Sequence, residues 1–275
     1  MKHILLLTTL FWFSQTSAQE LVPKLSETEF TIGKTIEIHS NKLKEKRTLN
    51  IYLPQGYDEN TDKEYPVIYL LDGSKDEDFI HISGLVQFGS FSWINMVPES
   101  IVVGIANVDR KRDFTYPSQN ELDQHELPTS GKSSLFIGFI EDELQPFIEA
   151  EYRTSSVKTL IGQSLGGLLT TEILFTKPEL FQNYIIVSPS LWWDEERLLD
   201  TQPVAYSDQK SIYIAGGKEG DIMERIAKEL YQKLEQSSGN NTSVYYEFLE
   251  DKDHGDALHI AVYHAFEKIF AKTEE

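Results

Sequence analysis

Ser164 lies in Thr159-Leu160-Ile161-Gly162-Gln163-Ser164-Leu165-Gly166-Gly167-Leu168-Leu169, an apolar run that ends in Gly-x-Ser-x-Gly and continues into a helix-like segment. This is the signature of a nucleophile elbow, a tight strand-to-helix turn that holds a serine in a strained backbone with its hydroxyl exposed. Gly162 and Gly166 are expected where a side chain would collide with the turn or the helix behind it. A serine hydroxyl is a poor nucleophile at neutral pH, so a base must lie within hydrogen-bond reach. Where such an elbow operates, an acid and then a histidine follow the serine along the chain. Beyond Ser164 the histidines are His254, His259 and His264. His254, in Lys252-Asp253-His254-Gly255-Asp256, falls in the loop before the last helix and is the expected base. The other reading of His254 is a solvent histidine capping that helix. His259 and His264 fall within the helix, as surface or packing residues.

The acid must follow an intervening strand, and Ile212-Tyr213-Ile214-Ala215-Gly216-Gly217-Lys218-Glu219-Gly220-Asp221 supplies two carboxylates after one. Glu219 is nearer the strand end and flanked by glycines that permit a tight loop, so it is the expected acid. Asp221 suits the N-cap of the following helix equally well. Asp194, after the preceding strand, is a third candidate, and a serine–histidine dyad without a strong acid is a fourth arrangement. An oxyanion needs two backbone N–H donors. The Leu165 amide, at the start of a helix whose dipole favours negative charge, is one. Gly73 or Ser74, in the loop Asp72-Gly73-Ser74, supplies the other, and the sequence leaves the choice open; Asp72-Gly73 also reads as a plain turn.

These residues need a sheet with a common edge. Residues 35–39 and 47–53 alternate in period two around a polar turn and predict an antiparallel hairpin. Continuous apolar runs at 67–71 and Ile101–Ile105 predict strands covered on both faces. Between them, residues 79–97 predict an irregular crossover with a short helix. Residues 133–151 carry a helical apolar stripe of Leu135, Phe136, Phe139, Ile140, Leu144, Phe147 and Ile148. Then follow the elbow strand, a helix to about Phe175, and strands at 184–187, 212–215 and 244–249, with helices at 222–234 and 257–270. The alternation predicts an α/β-hydrolase fold: a mostly parallel twisted sheet with an N-terminal antiparallel hairpin and helices on both faces.

The chain has 275 residues, 40% hydrophobic and 12% aromatic, enough for one large α/β domain. Lys2 and His3 precede an apolar run from 4 to 13, and Thr16-Ser17-Ala18 offers small residues for cleavage. Residues 1–18 therefore read as a signal peptide and 19–275 as a single exported domain, periplasmic or secreted, with no membrane insertion after cleavage. An uncleaved anchor is the alternative. The chain contains no cysteine, which excludes disulfides, a thiol nucleophile and cysteine-ligated metal. A net charge of −19 argues against nucleic acid and anionic membranes as partners.

Several motifs resemble the putative-esterase family of α/β-hydrolases, whose members include esterase D, siderophore esterases, and acetyl-xylan and feruloyl esterases. They are Tyr52-Leu53-Pro54-Gln55-Gly56-Tyr57, Tyr65-Pro66-Val67-Ile68-Tyr69-Leu70-Leu71-Asp72-Gly73, Arg112-Asp113-Phe114-Thr115, residues 161–167 and Ser188-Pro189-Ser190-Leu191-Trp192-Trp193. The last of these, with Gly216-Gly217-Lys218-Glu219, is most similar to the ferric-siderophore branch. The resemblance implies Ser164 as nucleophile, His254 as base, an acid near Glu219, and no metal or organic cofactor. His254-Gly255-Asp256 stands where the family often has His-Gly-Ser.

The expected activity is serine esterase chemistry through an acyl-enzyme, on a small-molecule or glycan ester such as a siderophore or an acetyl or feruloyl group. A thioesterase or acyltransferase would use the same residues, and a silent hydrolase fold that binds ligand is the non-enzyme alternative. Trp192, Trp193, Arg112 and Phe114 are the expected substrate contacts, on loops at the catalytic edge. Arg110, Lys111 and Arg112 form a cationic triplet, with Tyr116 nearby, that could draw an anionic substrate; the other reading is a solvated loop paired with Asp109 and Asp113.

Overall fold

A computed structural model describes residues 22–57 and 62–270. The leader expected at 1–18 lies outside the described residues. The chain divides into two units. Of the first, residues 22–31 carry no regular secondary structure. The second, from Ile32, holds every strand and helix of the described residues.

Its strands are β1 (Lys34–Ser40), β2 (Glu45–Tyr52), β3 (Tyr65–Leu70), β4 (Ile101–Ile105), β5 (Thr154–Gln163), β6 (Asn183–Val187), β7 (Lys210–Gly217) and β8 (Thr242–Leu249). They form one sheet in the order β1-β2-β4-β3-β5-β6-β7-β8. The β1/β2 and β2/β4 pairs are antiparallel and the rest parallel, the α/β-hydrolase arrangement the alternation predicts. The helices are α1 (Phe79–Gly89), α2 (Arg110–Phe114), α3 (Glu121–Glu126), α4 (Ser133–Phe139), α5 (Gln145–Glu151), α6 (Leu165–Thr176), α7 (Arg197–Asp200), α8 (Asp221–Ser237) and α9 (Ala257–Ile269). A single π-helical turn, Ile140–Leu144, joins α4 to α5, so the stripe read at 133–151 is one continuous helical rod with a bulge. The crossover read as irregular with a short helix contains α1, which runs for three turns. No helix among the described residues is long and apolar enough to cross a membrane.

Successive side chains of a strand point to opposite faces, and the cores follow that rule. Val67, Tyr69 and Leu71 join Phe136, Phe139, Leu168 and Leu230 on one face, against α4, α6 and α8. Ile68 and Leu70 join Phe79, Val86, Leu258 and Phe266 on the other, against α1 and α9. Parallel strands buried on both faces explain the unbroken apolar runs of β4 and β6. All parallel strands end at the same edge, which gathers the loops after β3, β4, β5, β6, β7 and β8.

One charged cluster sits inside this apolar frame. Arg47 is fully buried and its Nη1 donates to Asp113 Oδ2 at 2.7 Å and to Glu45 Oε1 at 2.9 Å, while Nη2 donates to the Ala106 carbonyl. Its guanidinium also lies over the Phe136 ring, 5.0 Å from the centroid. Arg112 closes the cluster with bonds to Glu45 and Asp113. Removing Asp113 would leave the buried Arg47 and Arg112 to share the single carboxylate of Glu45. Asp113→Ala is therefore expected to cost about 3 kcal/mol of unfolding free energy in a urea titration; a loss under about 0.5 kcal/mol would show the cluster to be dispensable.

Candidate active site

Ser164 sits between β5 and α6 with φ 60° and ψ −122°, a conformation that side chains other than glycine rarely adopt. The bend is held by its neighbours. The Ser164 N–H donates to the Val187 carbonyl at 3.1 Å, and the Ser164 carbonyl accepts from Leu168 and Ser190. A Cβ on Gly162 would lie 2.4 Å from the Gly166 carbonyl oxygen, so glycine is required there. Gly166 is less crowded than the motif implies: its Cβ would approach the Asp72 carboxylate at 3.3 Å.

The turn leaves Ser164 at the mouth of a cleft of about 670 Å³ lined also by Ser190, Trp192, Lys218, Glu219, Met223, Asp253 and His254. His254 and Glu219 meet there, with imidazole Nδ1 2.5 Å from Glu219 Oε2. The glutamate side chain is 3% exposed and the histidine 47%. The other carboxylate oxygen accepts from the Gly217 N–H at 2.9 Å and from Ser188 Oγ. Burial alone would push the Glu219 carboxyl up, but the bonds from His254, Ser188 and Gly217 outweigh it and hold it below the usual range. The same bond raises the pKa of His254 above that of a free imidazole, with burial and the Arg110 charge opposing.

The His254 loop is tied down at its backbone. Gln163 Nε2 donates to the His254 carbonyl at 2.6 Å, and the Lys218 N–H donates to the Lys252 carbonyl at 2.6 Å. The N-cap position of α9 is Asp256, so His254 does not cap that helix. Ser164 Oγ lies 3.3 Å from Ser190 Oγ, and among the described residues no hydrogen bond joins Ser164 to His254. Serine and imidazole line one cleft, and in ligand-free sites catalytic hydrogen bonds of this kind are often formed only with substrate.

The other acid candidates stand elsewhere. Asp194 accepts from Ser118 Oγ and the Gln119 N–H and pairs with Arg197. Asp221 is the exposed first residue of α8. The loop after β3 narrows the second N–H: that of Gly73 is spent on the Ile105 carbonyl at 3.0 Å, which corrects its expected role and leaves Ser74. Gly73 is present for closeness, since its Cβ would fall 2.3 Å from Gly104 Cα.

Three expected substrate contacts are corrected. Phe114 is fully buried, 5.6 Å from the Phe136 ring in the core. Arg112 is consumed by the Glu45–Asp113 cluster. Trp193 is also fully buried, its indole N–H donating to the Tyr116 carbonyl. Only Trp192, 37% exposed, reaches the cleft. No member of the 110–112 triplet lines it; the cation that does is Lys218. Sequence reasoning also missed Ser188 and Ser190. Their signal was their place in Ser188-Pro189-Ser190, directly after a strand ending at the catalytic edge. His259 stacks on His81, with centroids 3.6 Å apart, and His264 bonds Glu247, so both stay outside the cleft.

A family model described as Putative esterase matches residues 40–268. The ferri-bacillibactin esterase BesA of Bacillus subtilis is 32% identical over 229 residues, covering 74% of this chain and 78% of that protein. An IroE-like serine hydrolase from Shewanella oneidensis superimposes with a TM-score of 0.75 at 30% identity, over 86% of this chain and 80% of that one. The BES protein from Bacillus cereus gives 0.80 at 25% identity, over 92% and 100%. A match of this extent makes the chain a member of the Putative esterase family and a carboxylic ester hydrolase.

Proposed function

We propose that the chain is an exported esterase that opens siderophore-type esters through an acyl-enzyme on Ser164. The observation that carries the mechanism is the 2.5 Å pair of His254 and buried Glu219, facing the elbow serine across one cleft. Glu219 keeps the proton on Nδ1, so Nε2 is the free base. Ser164 Oγ turns from Ser190 toward that nitrogen, loses its proton and attacks the ester carbonyl. The N–H groups of Leu165 and Ser74 receive the charge on the carbonyl oxygen, each donor contributing about a hundred-fold or more in comparable sites. His254 returns the proton to the leaving alcohol, and water repeats the cycle on the acyl-enzyme. The bacillibactin-esterase relative supports the substrate class, and the cleft's chemistry agrees. Trp192 offers an aromatic face and Lys218 a cation within a chain of net charge −19, a pairing suited to an anionic catecholate.

The mechanism is tested with p-nitrophenyl acetate and a fluorophosphonate label. Ser164→Ala should abolish labelling and lower kcat about a million-fold; retained labelling would move the nucleophile elsewhere. The base works when neutral, and its raised pKa places the acid limb of kcat/KM above the ordinary imidazole range. Glu219→Gln removes the raising partner, so that limb should move to lower pH while the plateau falls. A limb that stays in place would separate Glu219 from the base.

Substrate choice is read by Lys218→Gln. At low salt it should raise KM for a ferric tri-catecholate ester several-fold and leave p-nitrophenyl acetate unchanged. Equal effects on both would remove the charge argument. Export is read by mass spectrometry of the protein from its own cells: the mature chain should begin near Gln19, and an intact Met1 in the final location would overturn it.

A further inference from the structure

Arg110 joins the two segments that carry the oxyanion donors. Its Nε donates to Asp72 Oδ1 at 2.6 Å and its Nη2 to Asp72 Oδ2 at 2.9 Å. The same Nη2 donates to the Gln163 carbonyl at 3.2 Å. Asp72 stands two residues before Ser74, and Gln163 two residues before Leu165. One planar guanidinium thus spans the gap between the loop after β3 and the elbow, held at equal chain distance from each donor.

The loop has other anchors, but those run to the antiparallel side of the sheet. Asp72 sits at φ 54°, a strained conformation for a residue with a side chain. Beyond Arg110, its carboxylate is held by Asn107 Nδ2 at 2.7 Å, and Gly73 by Ile105 and by Asn50 Nδ2. Those bonds anchor the loop to β2 and to β4 and the turn after it. Of these four partners, Arg110, Asn107, Ile105 and Asn50, only Arg110 also hydrogen-bonds the elbow. Gln163 extends the connection, since its side chain donates to the His254 carbonyl.

We infer that Arg110 is a positioning residue that fixes the spacing between the Ser74 and Leu165 N–H groups, and so acts on the transition state more than on substrate binding. This rests on the oxyanion assignment proposed above. The Arg110 side chain is 32% exposed and that of Asp72 13%, and a two-pronged pair of this kind can also contribute to folding, so stability and rate are read separately. Misplacing a transition-state donor by about 1 Å costs about a hundred-fold in rate. A lysine keeps the charge but cannot reproduce the two-pronged geometry.

The test compares Arg110→Lys and the near-isosteric Asp72→Asn with wild type on p-nitrophenyl acetate. Each should lower kcat about a hundred-fold with KM within about threefold. Affinity for benzeneboronic acid, which forms a tetrahedral adduct on a serine, should fall in the same proportion, while the thermal midpoint moves by a few degrees at most. Arg110→Gln should in addition shift the acid limb of kcat/KM upward, because the neighbouring cation opposes protonation of His254; Arg110→Lys should leave it in place. A kcat within twofold of wild type, a rise in KM alone, unchanged boronate affinity, or failure of both primary variants to fold would each overturn the inference. A Ser164→Ala control that retained activity would instead reject the underlying mechanism, whatever Arg110 did.

Discussion

The contact between Gly162 and the Gly166 carbonyl is the constraint on which the site depends. Only a residue without a Cβ lets the first turn of α6 fold back so closely on the end of β5. That closeness forces Ser164 into a backbone conformation it would not choose alone. It also aims the hydroxyl out of the sheet edge and leaves the Leu165 N–H at the open end of a helix. The placing of the hydroxyl and that of the helix-end N–H are two consequences of one packing requirement.

Strain of this kind gathers at the same edge. Asp72, Ser164 and Ser188 all have positive φ, and they follow β3, β5 and β6 respectively. Each is held there by a hydrogen bond that serves the site: Asp72 by Arg110, Ser164 by Val187, and Ser188 by Ala215, while the Ser188 hydroxyl supports Glu219. The two buried apolar layers beneath are what make such positions tolerable, because the strand ends cannot move to relieve them. Carboxylates that elsewhere would be a cost to bury are paired in the Arg47 and Glu219 clusters, the second of them within the cleft.

The resting arrangement separates the reactive groups without dispersing them. Ser164 rests against Ser190, and His254 is held by Glu219 at Nδ1 and by Gln163 at its carbonyl. The open cleft between them is lined also by Trp192 and Lys218.

Local signals were enough for much of this. The elbow motif, the order of serine, acid and histidine, and the period of the strands are properties of short segments, so Ser164, His254, Glu219 as the favoured acid among three, and the succession of strands and helices could be read from residue types and spacing. Adjacency in sequence could not say which of two neighbouring side chains points inward. Trp192 and Trp193 differ only in which face of their loop they occupy. Arg110 and Arg112 follow the same strand, yet the turn of α2 sends one toward Asp72 and the other toward Glu45. Gly73 and Ser74 likewise differ by whether β4 has already claimed the N–H. Those choices rest on contacts between segments distant in the chain, and only the folded sheet brings those segments together.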